Sequence, residues 1–243
     1  MKIISLVPSL TELVIDLSLV SELVGRTKFC IHPKEKVKFI PKIGGTKNVD
    51  IAKVADLKPD LILANKEENT RKDVEELVKI APVHVTDISN YSEALESIQN
   101  IGLLTNRQKE AQLLIDKINS RFAKLTEFSG TKKSVCYLIW QDALMTIGRD
   151  TYIHDMLFKC GFDNVFGNEE RYPTVTENDI IEKNPDFIFL SSEPFPFKET
   201  HIDRFSEMFP KSKVVLVDGE YFSWYGSRMV LAADYFNSLL QEL

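Results

Sequence analysis

Cysteine is scarce in this sequence. Its three cysteines, Cys30, Cys136 and Cys160, cannot all pair with one another, and none belongs to a CxxC motif. The pattern therefore gives no disulfide framework and favours a reducing compartment. Cys136 lies in an apolar strand-like run and Cys160 at an apolar helix end, where cysteine acts as a small hydrophobic side chain, so both are predicted to be structural.

The sequence also lacks a long apolar run and an excess of basic residues. No uninterrupted apolar stretch approaches the roughly 20 residues that a membrane-spanning helix needs. The chain has 30 basic and 36 acidic residues and a formal net charge of −6, the wrong sign for a protein that binds a nucleic-acid backbone. The GxSxG, HExxH and GxGxxG motifs are absent, so we predict a non-catalytic protein.

The N-terminal stretch MKIISLVPSLTE has none of the organisation of a signal peptide, because Pro8 and Glu12 interrupt its short apolar run. The sequence as it stands therefore predicts a cytoplasmic protein, or a periplasmic or extracytoplasmic one if an export signal has been removed. A hydrophobic content of 44% with 10 glycines and 10 prolines indicates an ordinary globular chain. We expect a monomer.

Short runs rich in Ile, Val, Leu and Phe alternate with segments of helical period, which predicts an α/β fold with mainly parallel sheets. Strands are predicted near residues 2–7, 60–64, 83–86, 134–140, 186–190 and 213–217. Helices are predicted near residues 10–18, 50–57, 70–80, 91–103, 151–160, 177–183, 199–208 and 227–241. Ser9 or Thr11 is expected to cap the first helix, and Thr176 the one that begins at Glu177.

One further helix is predicted to be unusually long. The segment 106–128 contains no glycine or proline and places apolar side chains at helical spacing. As a helix with a rise of about 1.5 Å per residue it would span roughly 35 Å. We expect it to connect two halves of the molecule.

Two stretches of the chain share one pattern. ADLKPDLILANKEEN at 55–69 and IEKNPDFIFLSSE at 181–193 each contain a helix end, Pro-Asp, an apolar strand and a glutamate. Pro59 and Pro185 lie 126 residues apart, as do Glu67 and Glu193. Pro-Asp before an apolar strand is common, so independent origin of the two matches stays an alternative.

The repeat predicts two Rossmann-like α/β lobes joined by one long helix. The expected division is an N-terminal lobe at 1–104, a connecting helix at 105–129 and a C-terminal lobe at 130–243. Because ligands bind outside the carboxyl ends of parallel strands, facing lobes are expected to form a ligand-binding cleft.

Four segments in order along the chain carry a family resemblance: ISLVPSLTELVIDL, IGGTKNVDIAKVADLKPDLILA, PTVTENDIIEKNPDFIFLSSEPFPF and SRMVLAADYF. They resemble the helical-backbone substrate-binding proteins of ABC importers, most strongly the cobalamin-binding members, with ferric siderophore and haem binders more distant. The resemblance implies a metal chelate held between two lobes, no required cofactor, and delivery to an ABC permease. It also makes Tyr221 the counterpart of an aromatic residue that lines the cobalamin cleft.

Aromatic and basic residues on predicted loops, together with Pro8, are the candidate ligand contacts, because a flat chelate needs aromatic faces and a few polar groups. Proline beside Phe195 and Phe197 argues against a buried strand and suggests an exposed contact surface. Core packing stays the alternative for each aromatic side chain. The candidates are Pro8, Phe29, Trp140, Arg149, Arg171, Tyr172, Phe195, Phe197, Tyr221, Trp224 and Arg228.

Three acidic candidates, Glu67, Glu68 and Glu193, follow the repeated strands. The resemblance implies that a carboxylate on each lobe pairs with permease arginines, but it places the N-lobe docking position near Arg71, which has the opposite charge. We therefore favour a ligand-facing role for Glu67 and Glu193. Two carboxylates could instead bind a cation.

Cys30 and His32 are candidate metal ligands in the stretch GRTKFCIHP. Thiolate and imidazole suit soft or borderline metals, and a histidine could take an axial position on a cobalt or iron chelate. One pair of candidate ligands, with no second pair elsewhere in the sequence, is weak evidence for a metal site. The alternative function that they suggest is a cytoplasmic metal-handling protein or enzyme using these two residues with Glu67 and Glu193.

Overall fold

The computed structural model describes residues 1–125 and 132–243. The chain divides into two compact units, and each is built around a four-stranded parallel sheet. The first unit contains Met1–Ile88, Ser92–Ser120 and Trp224–Val230. The second contains Ser89–Tyr91, Arg121–Ser223 and Leu231–Leu243. The predicted α/β class with two lobes and mainly parallel sheets is confirmed.

The strands of the first unit are β1 Ile3–Ser5, β2 Leu23–Arg26, β3 Gly44–Gly45, β4 Asn48–Val49, β5 Leu61–Asn65 and β6 Val83–Thr86. The parallel sheet has the order β2-β1-β5-β6, and β3 and β4 form a short antiparallel pair. Every residue of β5 is buried, as expected for a central strand covered on both faces. The helices up to the unit boundary are α1 Pro8–Asp16, α2 Lys34–Val37, α3 Ile51–Leu57, α4 Arg71–Leu77, α5 Tyr91–Leu104 and α6 Gln108–Phe122.

The strands of the second unit are β7 Lys133–Leu138, β8 Phe162–Asn164, β9 Phe187–Ser191 and β10 Lys213–Val217. Its sheet has the order β10-β9-β7-β8, with all pairs parallel. The remaining helices are α7 Tyr152–Lys159, α8 Glu177–Lys183, α9 Ile202–Met208, α10 Gly219–Ser223 and α11 Met229–Glu242. Apolar side chains of β7 and β9 pack with those of α8 and α9 in the core of this unit.

The two parallel sheets have the same topology. In the first unit β1 pairs with β2 and β5, and β5 pairs with β6. In the second unit β7 pairs with β8 and β9, and β9 pairs with β10. The internal repeat predicted from the sequence is therefore confirmed as a repeated strand order.

The repeated Pro-Asp pair has the same structural role in both units. Each aspartate lies just before its strand and accepts the backbone N–H of a residue at the start of the neighbouring strand. Asp60 Oδ2 accepts from Lys2 N at 2.7 Å, and Asp186 Oδ2 accepts from Ser134 N at 2.8 Å. The preceding helix ends in both cases at a left-handed residue, with φ of 49° and 45°. The aspartate thus sets where the central strands of each sheet begin.

The predicted connecting helix is shorter than expected. Asn106 has φ of 57°, which separates α5 from α6, and α6 ends at Phe122. The prediction of helix at 106–107 and 123–125 is wrong, while residues 126–131 lie outside the described residues. The predicted boundaries of lobes and connecting helix, at 1–104, 105–129 and 130–243, stay a prediction. Within the described ranges every helix is too short or too polar to cross a bilayer.

Helix starts were only partly predicted. Thr176 caps α8 in a capping box, as expected. The prediction for α1 is wrong, because the helix begins at Pro8 after Val7, with no side-chain cap. Proline suits the first helical position, since its φ is already fixed and its missing N–H would have no helical partner there. Ser9 and Thr11 are therefore buried inside the helix.

Candidate functional site

Most candidate residues lie on segments that follow strands of the parallel sheets. In the first unit these segments follow β1, β2 and β5, and in the second they follow all four strands. Parallel strands end at one edge of their sheet, which is where ligands bind in such folds. Pro8 is the first residue of α1, and Phe29 lies exposed after β2. Each unit therefore places its candidates toward the carboxyl edge of its own sheet.

In the first unit, Trp224 and Arg228 form a cluster with residues of α1 and of the loop after β2. Arg228 Nε donates to Glu12 Oε2 at 3.0 Å, and its guanidinium carbon lies 4.8 Å from the Trp224 ring centre. The His32 ring meets the indole edge-on at 5.8 Å. Burial raises the pKa of Glu12, and the Arg228 guanidinium opposes part of that rise. Trp224 and Arg228 are thus buried members of the unit, with little surface left for a ligand.

The sequence analysis did not identify Glu12, the partner of Arg228, or Thr86, the partner of Tyr225. The Tyr225 hydroxyl lies 3.1 Å from Thr86 Oγ1, and both side chains are buried. One signal for Glu12 was available: it is an acidic residue within an apolar helical segment, and a buried carboxylate requires a partner. This partner, Arg228, is more than 200 positions away in the chain, so it could not be predicted from the sequence.

The loop after β5 is held by the side chains of Asn65, the last residue of β5, and Lys47, which lies between β3 and β4. Asn65 Oδ1 accepts the backbone N–H groups of Glu67 and Glu68 at 2.9 and 3.1 Å. Lys47 Nζ donates to the Glu67 carbonyl oxygen at 2.8 Å. Glu67 is half-buried and Glu68 exposed. This hydrogen bonding fixes the backbone that carries both carboxylates.

The corresponding loop after β9 is built in the same way. Ser191 Oγ donates to the Glu193 carbonyl oxygen at 2.6 Å, and Tyr137 OH donates to Ser191 Oγ at 3.0 Å. The Ser223 hydroxyl donates to the Glu193 carboxylate. Glu193 therefore ties the exit of β9 to α10, the helix that carries Tyr221.

Trp140 and Phe195 form an aromatic pair at the exits of β7 and β9. Their ring centres are 5.5 Å apart in an edge-to-face arrangement, and 40% of Trp140 is exposed. Phe197 lies 4.8 Å behind Phe195 and 5.6 Å from Phe205. The prediction that Phe197 forms an exposed contact surface is wrong, because it is only 2% exposed and belongs to the core of the second unit.

Tyr221 stacks on Tyr235 of α11, with ring centres 4.6 Å apart and planes inclined by 23°. The Asp218 backbone N–H donates to the Tyr235 hydroxyl at 2.9 Å. Burial raises the pKa of Tyr235 to about 12, so this phenol stays neutral at physiological pH. The stack leaves Tyr221 half-buried on a fixed support.

The arginine candidates of the second unit already contact acidic groups of that unit. Arg149 pairs with Glu170 and donates to the Asn168 carbonyl oxygen at 2.8 Å. Arg171 Nη1 lies 3.9 Å from Asp150, and its guanidinium lies 5.6 Å from the Tyr172 ring centre. A ligand anion would compete with these carboxylates for either arginine.

Cys30 and His32 do not form a recognisable metal centre. Cys30 Sγ is buried 3.1 Å from Thr27 Oγ1, and burial raises the pKa of the thiol. Over residues 1–125 and 132–243, no group of three or more His, Cys, Asp and Glu side chains is arranged to hold a metal ion. The predicted metal role of this pair thus has no third ligand in the part of the chain that the structure describes.

Residues 3–210 match the family model described as periplasmic binding protein. The chain belongs to this family. It is 33% identical over 197 residues to the ABC transporter substrate-binding lipoprotein YvrC of Bacillus subtilis, covering 77% of this chain and 62% of that protein's length. It is 24% identical over 247 residues to the vitamin B12-binding protein of Photorhabdus laumondii, covering 100% of this chain and 88% of that protein.

Solved structures agree with this assignment. The structure of a possible iron-binding, periplasmic solute-binding protein from Staphylococcus epidermidis superposes with a TM-score of 0.82 and 25% sequence identity. The superposition covers 99% of this chain and 97% of the other. The resemblance to substrate-binding proteins predicted from the four sequence segments is confirmed.

Proposed function

We propose that this protein is the non-catalytic substrate-binding component of an ABC importer, that it acts outside the cytoplasm, and that its ligand is a metal chelate. One observation carries the proposal: a protein named for binding vitamin B12 matches this chain over its whole length. A second relative is named as an ABC transporter substrate-binding lipoprotein. The favoured ligand is a cobalamin-like corrinoid, with ferric siderophores and haem as the other members of the chelate class.

The carboxyl-edge aromatic side chains of the second unit suit such a ligand. A corrin or porphyrin ring is large, flat and partly apolar, and aromatic side chains offer matching faces. Trp140 is the most exposed of these aromatics, Phe195 packs against it, and Tyr221 rests on Tyr235. Rigid support lowers the entropy cost of binding because fewer rotamers are lost.

In the first unit, Glu67 and Glu68 are the proposed polar contacts. The backbone that carries them is fixed by Asn65 and Lys47 before any ligand arrives. The proposed permease contact does not use Arg71, whose side chain is almost fully exposed and paired with Glu75. We assign delivery to a permease from the family relationship alone.

Tryptophan fluorescence tests the ligand class and the site together. The chain has two tryptophans, and Trp224 is buried whereas Trp140 is exposed. Titration of the purified protein with cyanocobalamin, haem or a ferric siderophore should quench the Trp140 emission in a saturable way. Trp140→Phe should reduce that quenching, since Trp224 alone then reports.

Affinity should fall when aromatic faces are removed. Trp140→Leu and Tyr221→Leu are each expected to weaken binding by about three- to tenfold, the value of one aromatic contact. Phe158→Leu is the matched control, because Phe158 is also an exposed aromatic of the second unit but lies on α7. Saturable binding that is equally strong in all three variants would refute the assigned aromatic site, and absence of binding to every chelate would refute the function.

A further inference from the structure

The segment 28–39, called the basic loop below, exposes more apolar surface than its length suggests. Phe29, Ile31 and Phe39 are 50%, 52% and 81% exposed. Phe39 has the largest exposed fraction among the large hydrophobic side chains of the described residues. Three large exposed apolar side chains within one short segment are typical of an interaction site.

The same segment is locally basic although the protein is acidic. It contains Lys28, Lys34, Lys36 and Lys38 against Glu35, whereas the whole chain carries a formal net charge of −6. Lys28 Nζ lies 4.9 Å from the Phe29 ring centre, and Lys38 Nζ lies 4.9 Å from that of Phe39. One ammonium group therefore lies beside each exposed ring, and that of Lys38 also pairs with Glu35.

A buried arginine holds the basic loop in one conformation. Arg26 Nε donates to the Val37 carbonyl oxygen at 2.8 Å, and its Nη1 donates to that of Thr27 at 3.1 Å. The backbone N–H of Arg26 donates to Pro41 O at 3.0 Å, which closes the segment at its base. Cys30 and Val37 point inward and are buried. The exposed rings thus stand on a fixed base, so docking would order little additional chain.

We propose that the basic loop docks on the surface of an anionic phospholipid bilayer. Lysines around exposed phenylalanines match that surface chemically, because the headgroups attract ammonium groups and the interfacial region accepts aromatic and aliphatic side chains. The negative charge of the rest of the chain orients the protein with this loop toward the membrane. Docking adds to the proposed chelate binding and does not require it.

Vesicle co-sedimentation of the full chain without chelate tests the proposal. The protein should sediment with vesicles of phosphatidylglycerol and phosphatidylcholine, but not with phosphatidylcholine alone. High salt should release it, because exposed charges are screened. Free inorganic phosphate at the same ionic strength should release no more protein than salt does, which separates a bilayer site from a phosphate site.

Variants locate the surface without touching candidate chelate contacts. The double variant Lys34→Ala/Lys36→Ala should lower the partition coefficient by about tenfold or more, since each basic residue near an anionic surface contributes to binding. Lys109→Ala/Lys117→Ala makes the same charge change on exposed positions of α6 and should leave partitioning near that of the wild type. Equal losses in both double variants would overturn the proposal.

A second set of variants tests whether the Phe39 ring inserts into the bilayer. Phe39→Ser should weaken partitioning, whereas Phe158→Ser should not, although Phe158 is also exposed with Lys132 Nζ 4.0 Å from its ring centre. Phe39→Trp should show emission that brominated lipid quenches. Failure to sediment with anionic vesicles, or binding that appears only when a permease is present in the vesicles, would overturn the proposal in favour of a protein partner.

Discussion

Asp60 and Asp186 occupy equivalent positions in the two units, directly before β5 and β9. Each carboxylate accepts a backbone N–H from the start of a neighbouring strand, and Asp186 also accepts from the Ser134 hydroxyl at 2.9 Å. The Ser134 N–H lowers the pKa of Asp186, with the Ser134 hydroxyl and Lys133 acting in the same direction. For Asp186, the charged carboxylate is thus the form that the fold stabilises.

Asp186→Asn and Asp60→Asn should therefore destabilise the protein by similar amounts, about 1 kcal/mol each, because each loses a charge-assisted hydrogen bond. Urea unfolding measures this, with the exposed Asp56→Asn expected to stay within about 0.5 kcal/mol of the wild type. A loss in Asp186→Asn no larger than that in Asp56→Asn would contradict the assigned role.

The pH dependence of the Asp186→Asn deficit follows from the lowered pKa. A carboxylate with a folded pKa below its usual value of 3.8 stabilises the fold above about that pH. The contribution disappears as the pH falls through the lower folded value. The difference in unfolding free energy between wild type and variant should hold from neutral pH to about pH 4 and shrink below it.

Arg228 and Glu12 form the buried ion pair that attaches the segment after α10 to the first unit. Arg228→Met leaves the Glu12 carboxylate buried without this partner, which costs about 3 to 5 kcal/mol in comparable pairs. The double variant Glu12→Gln/Arg228→Met should recover much of that loss. Urea unfolding of the wild type, both single variants and the double variant measures the coupling; additive losses would contradict it.

The Arg228→Met deficit should also depend on pH. Burial raises the folded pKa of Glu12 above its usual 4.5, and loss of Arg228 raises it further. A group with a raised folded pKa contributes stability below its unfolded pKa and loses it as the pH rises through the folded value. The deficit should therefore be small near pH 4 and grow toward pH 7. A deficit that shrinks over that range would show that Glu12 is not the group responsible.

For single residues, the sequence predicted the place in the fold better than the burial and contacts of the side chain. The spacing of the repeat predicted equivalent roles for Glu67 and Glu193, and their backbone N–H groups do bond to the side chain two residues earlier. Phe197 was predicted as exposed because proline flanks it, yet its side chain turns into the core. Proline constrains the backbone, but the direction of a side chain depends on distant packing.

At the element scale, α10 is the short helix whose placement determines where Tyr221 lies. Gly219 at its start packs closely on the β9 exit: a Cβ there would lie 2.4 Å from Ser191 Oγ and 2.7 Å from Glu193 Cγ. The Gly219 N–H also bonds Ser192 Oγ at 2.9 Å. A methyl group there requires the Ser191 and Glu193 side chains, or α10 itself, to move.

Gly219→Ala should therefore lower stability by about 1 to 3 kcal/mol, the usual cost of overpacking, and weaken chelate binding because Tyr221 moves with α10. Thermal unfolding and the fluorescence titration measure the two effects. Gly45→Ala is the control for stability, since its Cβ would meet atoms at 3.4 Å and beyond, an ordinary contact. Wild-type stability and affinity in Gly219→Ala would show that the close packing is not required.

Strand prediction succeeded for runs of consecutive apolar residues and failed where glycine or polar residues interrupt the run. The predicted strands near 60–64, 186–190 and 213–217 coincide with β5, β9 and β10 within about one residue at each end. The strands β2 and β8 were missed, because LVGR contains glycine and FDN has one apolar residue. Both lie at sheet edges. Strand β10 also lies at a sheet edge but was predicted, because four of its five residues are apolar, so the weak local pattern of β2 and β8 explains why they were missed.

At the scale of the whole molecule, two units with one strand order lie in a single acidic chain. The sequence predicted this repeat and the family, because both rest on motifs spread along the whole chain. Trp224–Val230 groups with the first unit although it follows the strands of the second, and no sequence pattern signals this placement. The placement of this segment depends on contacts between residues about 200 positions apart, including Arg228 with Glu12.

Calorimetric titration of the purified chain with cyanocobalamin, haem and a ferric siderophore tests the central claim most directly. The account predicts a saturable heat of binding for at least one chelate, with a stoichiometry that fits a defined site and an affinity reduced in Trp140→Leu. Absence of saturable heat with all three chelates would contradict it.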